Sequence, residues 1–381
     1  MKKIFILFLF LFLLLFVFIP VNASTKSDEL FLQDAKSGCL IECKTSKLIY
    51  GKSVNERLAP ASMTKVMTMI IVMDKICNNE IKYEDMVITP RDAANLGGSQ
   101  IYLSEGEKMS VHDLLKAMCI ASANDAALSL AIYIAGTEKL FVNMMNEKAK
   151  ELKLENTNFV NPYGFDDPNH YTSSLDMAIM ASYLINNYPD ILKYTSTYED
   201  YVREDKEKRF WLVNTNKLVK FVDGVDGLKT GWTNESGYCL TATISKNNER
   251  FIAVTMGSSS PSIRNNEITE LLQYAVNNYE TVELLKKDQI IEEVNDINLS
   301  PKNIVLLTNS NVTILKRKNE KLCDYNFIKN IDYANNEFYI DVYYDNKLYS
   351  RVELYSKDKI KQASLWDLFL EIIKELFLST N

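Results

Sequence analysis

The chain has 381 residues, enough for two domains and one sizeable core, and its 47% apolar and 24% charged content is globular. A formal net charge of −7 disfavours nucleic acid as a partner. Only two histidines, His112 and His170, and six scattered cysteines are present. No metal-ligand spacing results, so neither a metal, a cofactor nor a histidine-based triad is expected.

In chain order, Lys2 and Lys3 precede an unbroken apolar run, residues 4–19. Pro20 and the small-residue pattern Val21-Asn22-Ala23 follow. Residues 1–23 read as a secretory signal peptide, with an uncleaved N-terminal anchor as the alternative. The first cysteine, Cys39, lies far from the cut, which argues against a lipid-modified N-terminus. Loss of Lys2 and Lys3 takes the net charge from −7 to −9. The cysteines are read as buried thiols rather than a disulfide framework, which would need a short, cysteine-dense chain.

Residues 39–50 predict a hairpin, and residues 62–75 a buried helix with Lys65 near its start. Residues 110–136 carry two helical patterns split around Ser122 to Asn124. "SLDMAIMASYLINNY" predicts a further helix. "GYCLTATISKNNERFIAVTMGSSS" predicts a hairpin, and "EITELLQYAVNNYETV" a helix on the far side. Helices alternating with hairpins give an α+β class, an antiparallel sheet flanked by helices. Composition changes near residue 285, beyond which "NIVLLT", "NVTILKR", "FYIDVYY" and "LYSRVELY" predict short strands. Asp345 and Asn346 supply a turn between the last two. Residues 285–362 thus form a small all-β domain after a catalytic domain over 24–284. From residue 363, apolar side chains from Leu365 to Phe377 recur at helical spacing against Asp367, Glu371, Lys374 and Glu375. Such a helix either packs on the β domain or lies on a membrane surface; its Trp, Phe and Leu content favours the membrane, although its polar face is acidic.

Three short words carry chemistry. Ser62 falls at a helix N-terminus, where unpaired N–H groups can hold an oxyanion while the hydroxyl attacks a carbonyl. Lys65, one turn on, shares its face. Desolvation and a second cation would make it neutral and hence a base for Ser62. Ser122 and Asn124, across a break between helices, can relay a proton and bond a substrate amide. Lys229, Thr230 and Gly231 open a β run and offer a cation, a hydroxyl and room for a ligand against a strand edge. The N–H of Trp232 is a second candidate oxyanion donor. Taken singly, each word is equally a helix cap, a snorkelling lysine or a turn.

Together, Ser-x-x-Lys, Ser-x-Asn and Lys-Thr-Gly in that order resemble the signature of penicillin-recognising serine enzymes. The words "APASMTKVMT", "DLLKAMCIASANDAA", "NTNFVNPYGFDDPNHYTSSLDMA" and "VDGLKTGWTNESGYCLTAT" are similar to low-molecular-mass penicillin-binding proteins that are D-alanyl-D-alanine carboxypeptidases. The resemblance implies a β-lactamase/transpeptidase-like catalytic domain and removal of terminal D-alanine from peptidoglycan stem peptides through an acyl-enzyme. It further implies acylation by β-lactams and attachment to the outer face of the membrane through the C-terminal helix. Carried over by motif, Ser62 is the nucleophile, Lys65 its base and Ser122 the relay. Asn124, Lys229, Thr230, Gly231 and Trp232 bind substrate, and Arg264 serves the substrate carboxylate. Ala123 stands where many members have glycine and Tyr163 where many have histidine; neither is expected to touch a reacting group. The alternatives are a β-lactamase of the same fold, for which no Glu-x-x-x-Asn context lies between Ser122 and Lys229, and a non-catalytic wall-binding scaffold.

Overall fold

A computed structural model describes residues 31–203, 207, 209–333 and 335–378. The proposed leader, residues 1–23, lies outside the described residues. In chain order the elements that position the site are β1 (Ser37–Glu42), β2 (Leu48–Lys52), α1 (Lys65–Cys77), α2 (Val111–Ile120), α3 (Asn124–Ala135), α4 (Ser174–Asn187), β3 (Val225–Thr233), β4 (Gly237–Lys246), β5 (Glu249–Ser258) and α5 (Pro261–Asn278). The five strands make one antiparallel sheet in the order β2-β1-β5-β4-β3. β3 is therefore an edge.

Side-chain alternation along the strands separates two cores. Cys39, Ile41, Ile252, Val254 and Met256 pack with α1, α2, α3 and α4. Leu40, Phe251 and Ala253 pack instead with Ile268, Leu271, Leu272 and Ala275 of α5. A sheet apolar on both faces must be covered on both, which gives three layers. α1 lies in the thick helical layer and is buried from Lys65 to Met73. A helix apolar all round is stable only in such a position.

The predicted helix does not begin at Ser62. Residues Ala61–Thr64 form a separate 3-10 turn, and the α-helix starts at Lys65. Ala61 has φ +48°, a left-handed conformation through which a right-handed helix cannot propagate. The turn is held by Met63 N–H donating to the Pro60 carbonyl and Thr64 Oγ1 donating to the Ala61 carbonyl. Two glycines let neighbouring backbone approach it. Gly164 has φ +98°, and a Cβ there would sit 1.9 Å from the Ala61 oxygen. Gly231 on β3 lies where a Cβ would be 2.7 Å from the Pro60 oxygen.

Beyond α5, β6 (Tyr279–Leu285) straddles the compositional change. It is followed by β7 (Ile290–Asn295), β8 (Asn303–Thr308), β9 (Val312–Arg317), β10 (Tyr325–Asp332), β11 (Glu337–Tyr344) and β12 (Lys347–Tyr355). β6 pairs with β9, and the others form a sheet in the order β7-β8-β12-β11-β10. Ile304, Leu306, Ile340, Val342, Val352 and Leu354 alternate into a separate core. Asp345 and Asn346 both have positive φ, the two-residue hairpin turn read from the sequence. Last comes α6 (Leu365–Leu378), whose N-terminus is closed reciprocally by Ser364 and Asp367. Its Leu365, Trp366, Phe369, Leu370, Ile372 and Leu376 are exposed. Among the described residues no helix is long and apolar enough to cross a membrane. All six cysteines are free; Cys39, Cys43, Cys119 and Cys239 are buried, but Cys77 and Cys323 are exposed, contrary to a uniform reading as buried thiols.

Because the Gly164 backbone occupies the space against the Ala61 carbonyl, Gly164→Ala should lower unfolding free energy by about 2–4 kcal/mol through a clash and positive-φ strain. A urea midpoint equal to that of the parent protein would show that this contact is loose.

Candidate active site

Lys65 is 0% exposed, yet its amine has three partners. Nζ lies 2.7 Å from Asn124 Oδ1, 2.7 Å from the Tyr163 carbonyl and 3.0 Å from Ser62 Oγ. Burial foremost, and then the positive charge of Lys229, push its pKa well below the ordinary lysine range; the Asp125 carboxylate opposes the shift. In the neutral form the nitrogen has two hydrogens and one lone pair. An amide oxygen and a peptide carbonyl can only accept, so they take the two hydrogens. The lone pair is left for the Ser62 hydroxyl.

Each partner is itself anchored. Asn124 opens α3, and its Nδ2 donates to the Gly97 carbonyl at 3.0 Å. Asp125, fully buried, accepts the backbone N–H groups of Ile101 and Leu103 and so ties residues 97–103 to α3. Tyr163 belongs to a loop gathered by Asn161, whose Oδ1 accepts from the N–H groups of Tyr163, Gly164 and Phe165. Ser122 sits in the break between α2 and α3 with φ +64° and is buried. Among the described residues it has no hydrogen bond to Lys65 or Ser62.

β3 forms the opposite wall. Lys229 is buried, and its Nζ donates to the Thr230 carbonyl at 3.0 Å. Burial lowers its pKa to about 7; Arg264 adds to the shift and Cys119 opposes it. Thr230 Oγ1 donates to Thr215 Oγ1 at 2.7 Å, and the Thr215 N–H donates to the Ile120 carbonyl. Asn216 Nδ2 donates to the Gly227 carbonyl. Residues 214–216 thus join the end of α2 to β3 and set the width of the cleft. Trp232 is 54% exposed and tilts against Tyr238. Arg264, on α5, is buried, bonded to Asn265 and, at 3.4 Å, to the Cys239 carbonyl. Past Thr233, whose Oγ1 donates to Asp166, a cleft of about 830 Å3 opens, lined by Leu58, Ala59, Asp167, His170 and Glu235 among others.

The structure therefore brings Ser62, Lys65 and Asn124 into direct hydrogen bonding. It couples Lys229 to Lys65 through charge and sets Arg264 near Lys229. Two expectations change. Asn124, expected to bond a substrate amide, gives its oxygen to Lys65. Tyr163, expected to touch no reacting group, supplies a carbonyl that holds the Lys65 amine. Asn161, Thr215 and Asp125 were not singled out from the sequence. "NTN" at residues 214–216, a polar word between apolar runs, was the visible signal for one of them.

A family model described as D-alanyl-D-alanine carboxypeptidase matches residues 23–260. The chain is 50% identical over 291 residues to D-alanyl-D-alanine carboxypeptidase DacF of Bacillus subtilis, covering 76% of this chain and 75% of that protein. It is 35% identical over 265 residues to DacC of Escherichia coli, covering 67% and 64%. Among solved structures, penicillin binding protein 5 of Haemophilus influenzae superposes with a TM-score of 0.75 at 27% identity, covering 86% of this chain and 98% of that one. Penicillin-Binding Protein D2 of Listeria monocytogenes in a cefotaxime-bound form superposes at 0.57 with 28% identity, over 63% and 96%. By fold, motif and sequence the chain belongs to the D-alanyl-D-alanine carboxypeptidase family of serine hydrolases.

Proposed function

We propose that Ser62 attacks the carbonyl of the penultimate D-alanine in a peptidoglycan stem peptide, with neutral Lys65 taking its proton. The observation that carries this is the Lys65 amine: two acceptors fix its hydrogens, and the third direction is Ser62 Oγ at 3.0 Å. The Ser62 and Trp232 N–H groups hold the tetrahedral oxyanion. Lys229 and Thr230 take the terminal carboxylate, a reading supported by a buried cation on an open strand edge. Arg264 acts from behind, through Lys229, with Nε and Nη2 bonded to Asn265 and Nη1 to the Cys239 carbonyl. Asn124 keeps one amide hydrogen for the substrate. Upstream residues of the peptide then run past Thr233 into the acidic cleft. Ser122 and Lys65 return a proton to the departing D-alanine, and water opens the ester. β-Lactams acylate the same serine.

We place the leader at 1–23, the catalytic unit at 24–284, the β domain at 285–362 and a membrane-associating helix at 363–381. The exposed apolar face of α6 supports attachment to the outer face of the cytoplasmic membrane.

Three outcomes test these assignments. Labelled penicillin should add one acyl group to the intact protein, located on Ser62 by mass spectrometry, and Ser62→Ala should add none while keeping its unfolding curve; an adduct on the variant would refute the assignment. For pH, kcat/KM requires Lys65 neutral and so rises as pH passes through its pKa. Lys229's charge helps keep that pKa low. Lys229→Gln should therefore move the rising limb of the acylation profile to higher pH; an unmoved limb would show that the two amines are not coupled. Finally, deleting residues 363–381 should abolish sedimentation with phospholipid vesicles yet leave D-alanine release from a soluble peptide unchanged. Equal sedimentation of both forms would discard the anchor.

A further inference from the structure

His170 lies behind the nucleophile turn and has no part in the chemistry above. It is 2% exposed. Its Nδ1 faces the Val160 N–H at 3.0 Å, and its Nε2 lies 2.7 Å from Thr64 Oγ1. A backbone N–H can only donate, so Nδ1 carries no proton and Nε2 does. Nε2–H therefore donates to Thr64. The Thr64 hydroxyl has one hydrogen, and it goes to the Ala61 carbonyl at 2.8 Å. Every link runs the same way. The neutral ring is stable at ordinary pH, because burial lowers its pKa to about 4 against the opposing charge of Asp167.

The end of this chain is the peptide unit that matters. The Ala61 carbonyl and the Ser62 N–H belong to one trans amide, in which C=O and N–H point in opposite directions. Holding the oxygen from behind aims the N–H forward. Ala61 needs holding, since its φ of +48° is unfavourable for a residue with a Cβ. Donation into the carbonyl also polarises the amide and strengthens its N–H as a donor. Gly164 seals the same oxygen from another side.

We infer that His170 and Thr64 are positioning residues for the oxyanion site, forming a one-way hydrogen-bond chain from the Val160 N–H through His170 and Thr64 to the Ala61 carbonyl that orients the Ser62 N–H toward the reacting carbonyl. The inference rests on the reading of Ser62 N–H as an oxyanion donor. It predicts a defect confined to the transition state, where charge develops on that oxygen. A merely structural role would weaken folding or binding instead.

The test uses the full mature chain with Thr64→Val, Thr64→Ser and His170→Phe. Acylation by a fluorescent penicillin is followed by stopped flow to separate the reversible Kd from the acylation rate constant. Affinity for a peptide boronic acid, whose tetrahedral adduct mimics the transition state, is measured alongside. Thr64→Val should acylate to full stoichiometry but on the order of 10- to 100-fold more slowly, somewhat less than the loss of a whole oxyanion donor. Its Kd should stay within about twofold of the parent's, and boronate affinity should fall by the same factor as the rate. Thr64→Ser, which keeps the hydroxyl, should recover most of the rate. His170→Phe should slow acylation in the same sense and, acting on a different residue, gives the answer should Thr64→Val fold poorly. Parent-like acylation in Thr64→Val, no rescue by serine, or a loss confined to Kd would overturn the inference. Absence of any Ser62 adduct in the parent protein would instead overturn the reading on which it rests.

Discussion

Removing a lysine amine from water is costly by several kcal/mol if it stays charged. The cheaper solution is to lose the proton; burial drives the Lys65 amine that way, and much of the surrounding structure is arranged around it. α1 is apolar on all sides and carries Lys65 into the centre of the helical layer. Asn124 and the Tyr163 carbonyl then satisfy both remaining hydrogens, so the buried nitrogen leaves no donor unpaired. Burial alone would give an inert neutral lysine. The two fixed acceptors give its lone pair a direction, toward Ser62.

Holding those acceptors explains much of the surrounding structure. Asn161 gathers three successive N–H groups and shapes the loop that presents the Tyr163 carbonyl. Asp125 fixes residues 101–103 beneath α3, and Asn124 holds the Gly97 carbonyl. Positive φ angles at Ala61 and Ser122 flank the same cleft. Each costs conformational energy for a residue with a Cβ and persists only when surrounding bonds over-determine it. At Ala61 the bond from Thr64 Oγ1 to its carbonyl does so. This is why Ser62 stands in its own 3-10 turn rather than in the first turn of a continuous helix: the left-handed residue before it interrupts the helix.

What the sequence made legible follows from what periodicity records. Helices alternating with hairpins marked an antiparallel sheet covered by helices, and the Asp345-Asn346 turn and short β strands were visible from their own local patterns. Ser62, Lys65, Asn124 and Lys229 were legible as side-chain types at characteristic spacing. The contact that holds the Lys65 amine was not, because it is a main-chain carbonyl, and a backbone acceptor has no sequence signature. Tyr163 was judged on its ring, while its carbonyl is the part in contact. Asn161 escaped because its bonds run to backbone N–H groups two to four residues on, and Thr215 because its partner, Thr230, meets it only once the chain folds. The exposure of Cys77 was also hidden, because it ends an apolar helix whose last turn reaches the surface.

The distribution of charge completes the logic. The protein is acidic overall, yet Lys65, Lys229 and Arg264 lie close enough to act on one another in series, with Asp125 the acidic group acting on Lys65. Like charges in a dry region cannot all persist. Arg264 is held by Asn265 and stays ionised, and it helps depress Lys229. Lys229 in turn helps depress Lys65, the most buried of the series. Burial is the larger cause for both lysines, and the neighbouring cation adds to it in each case.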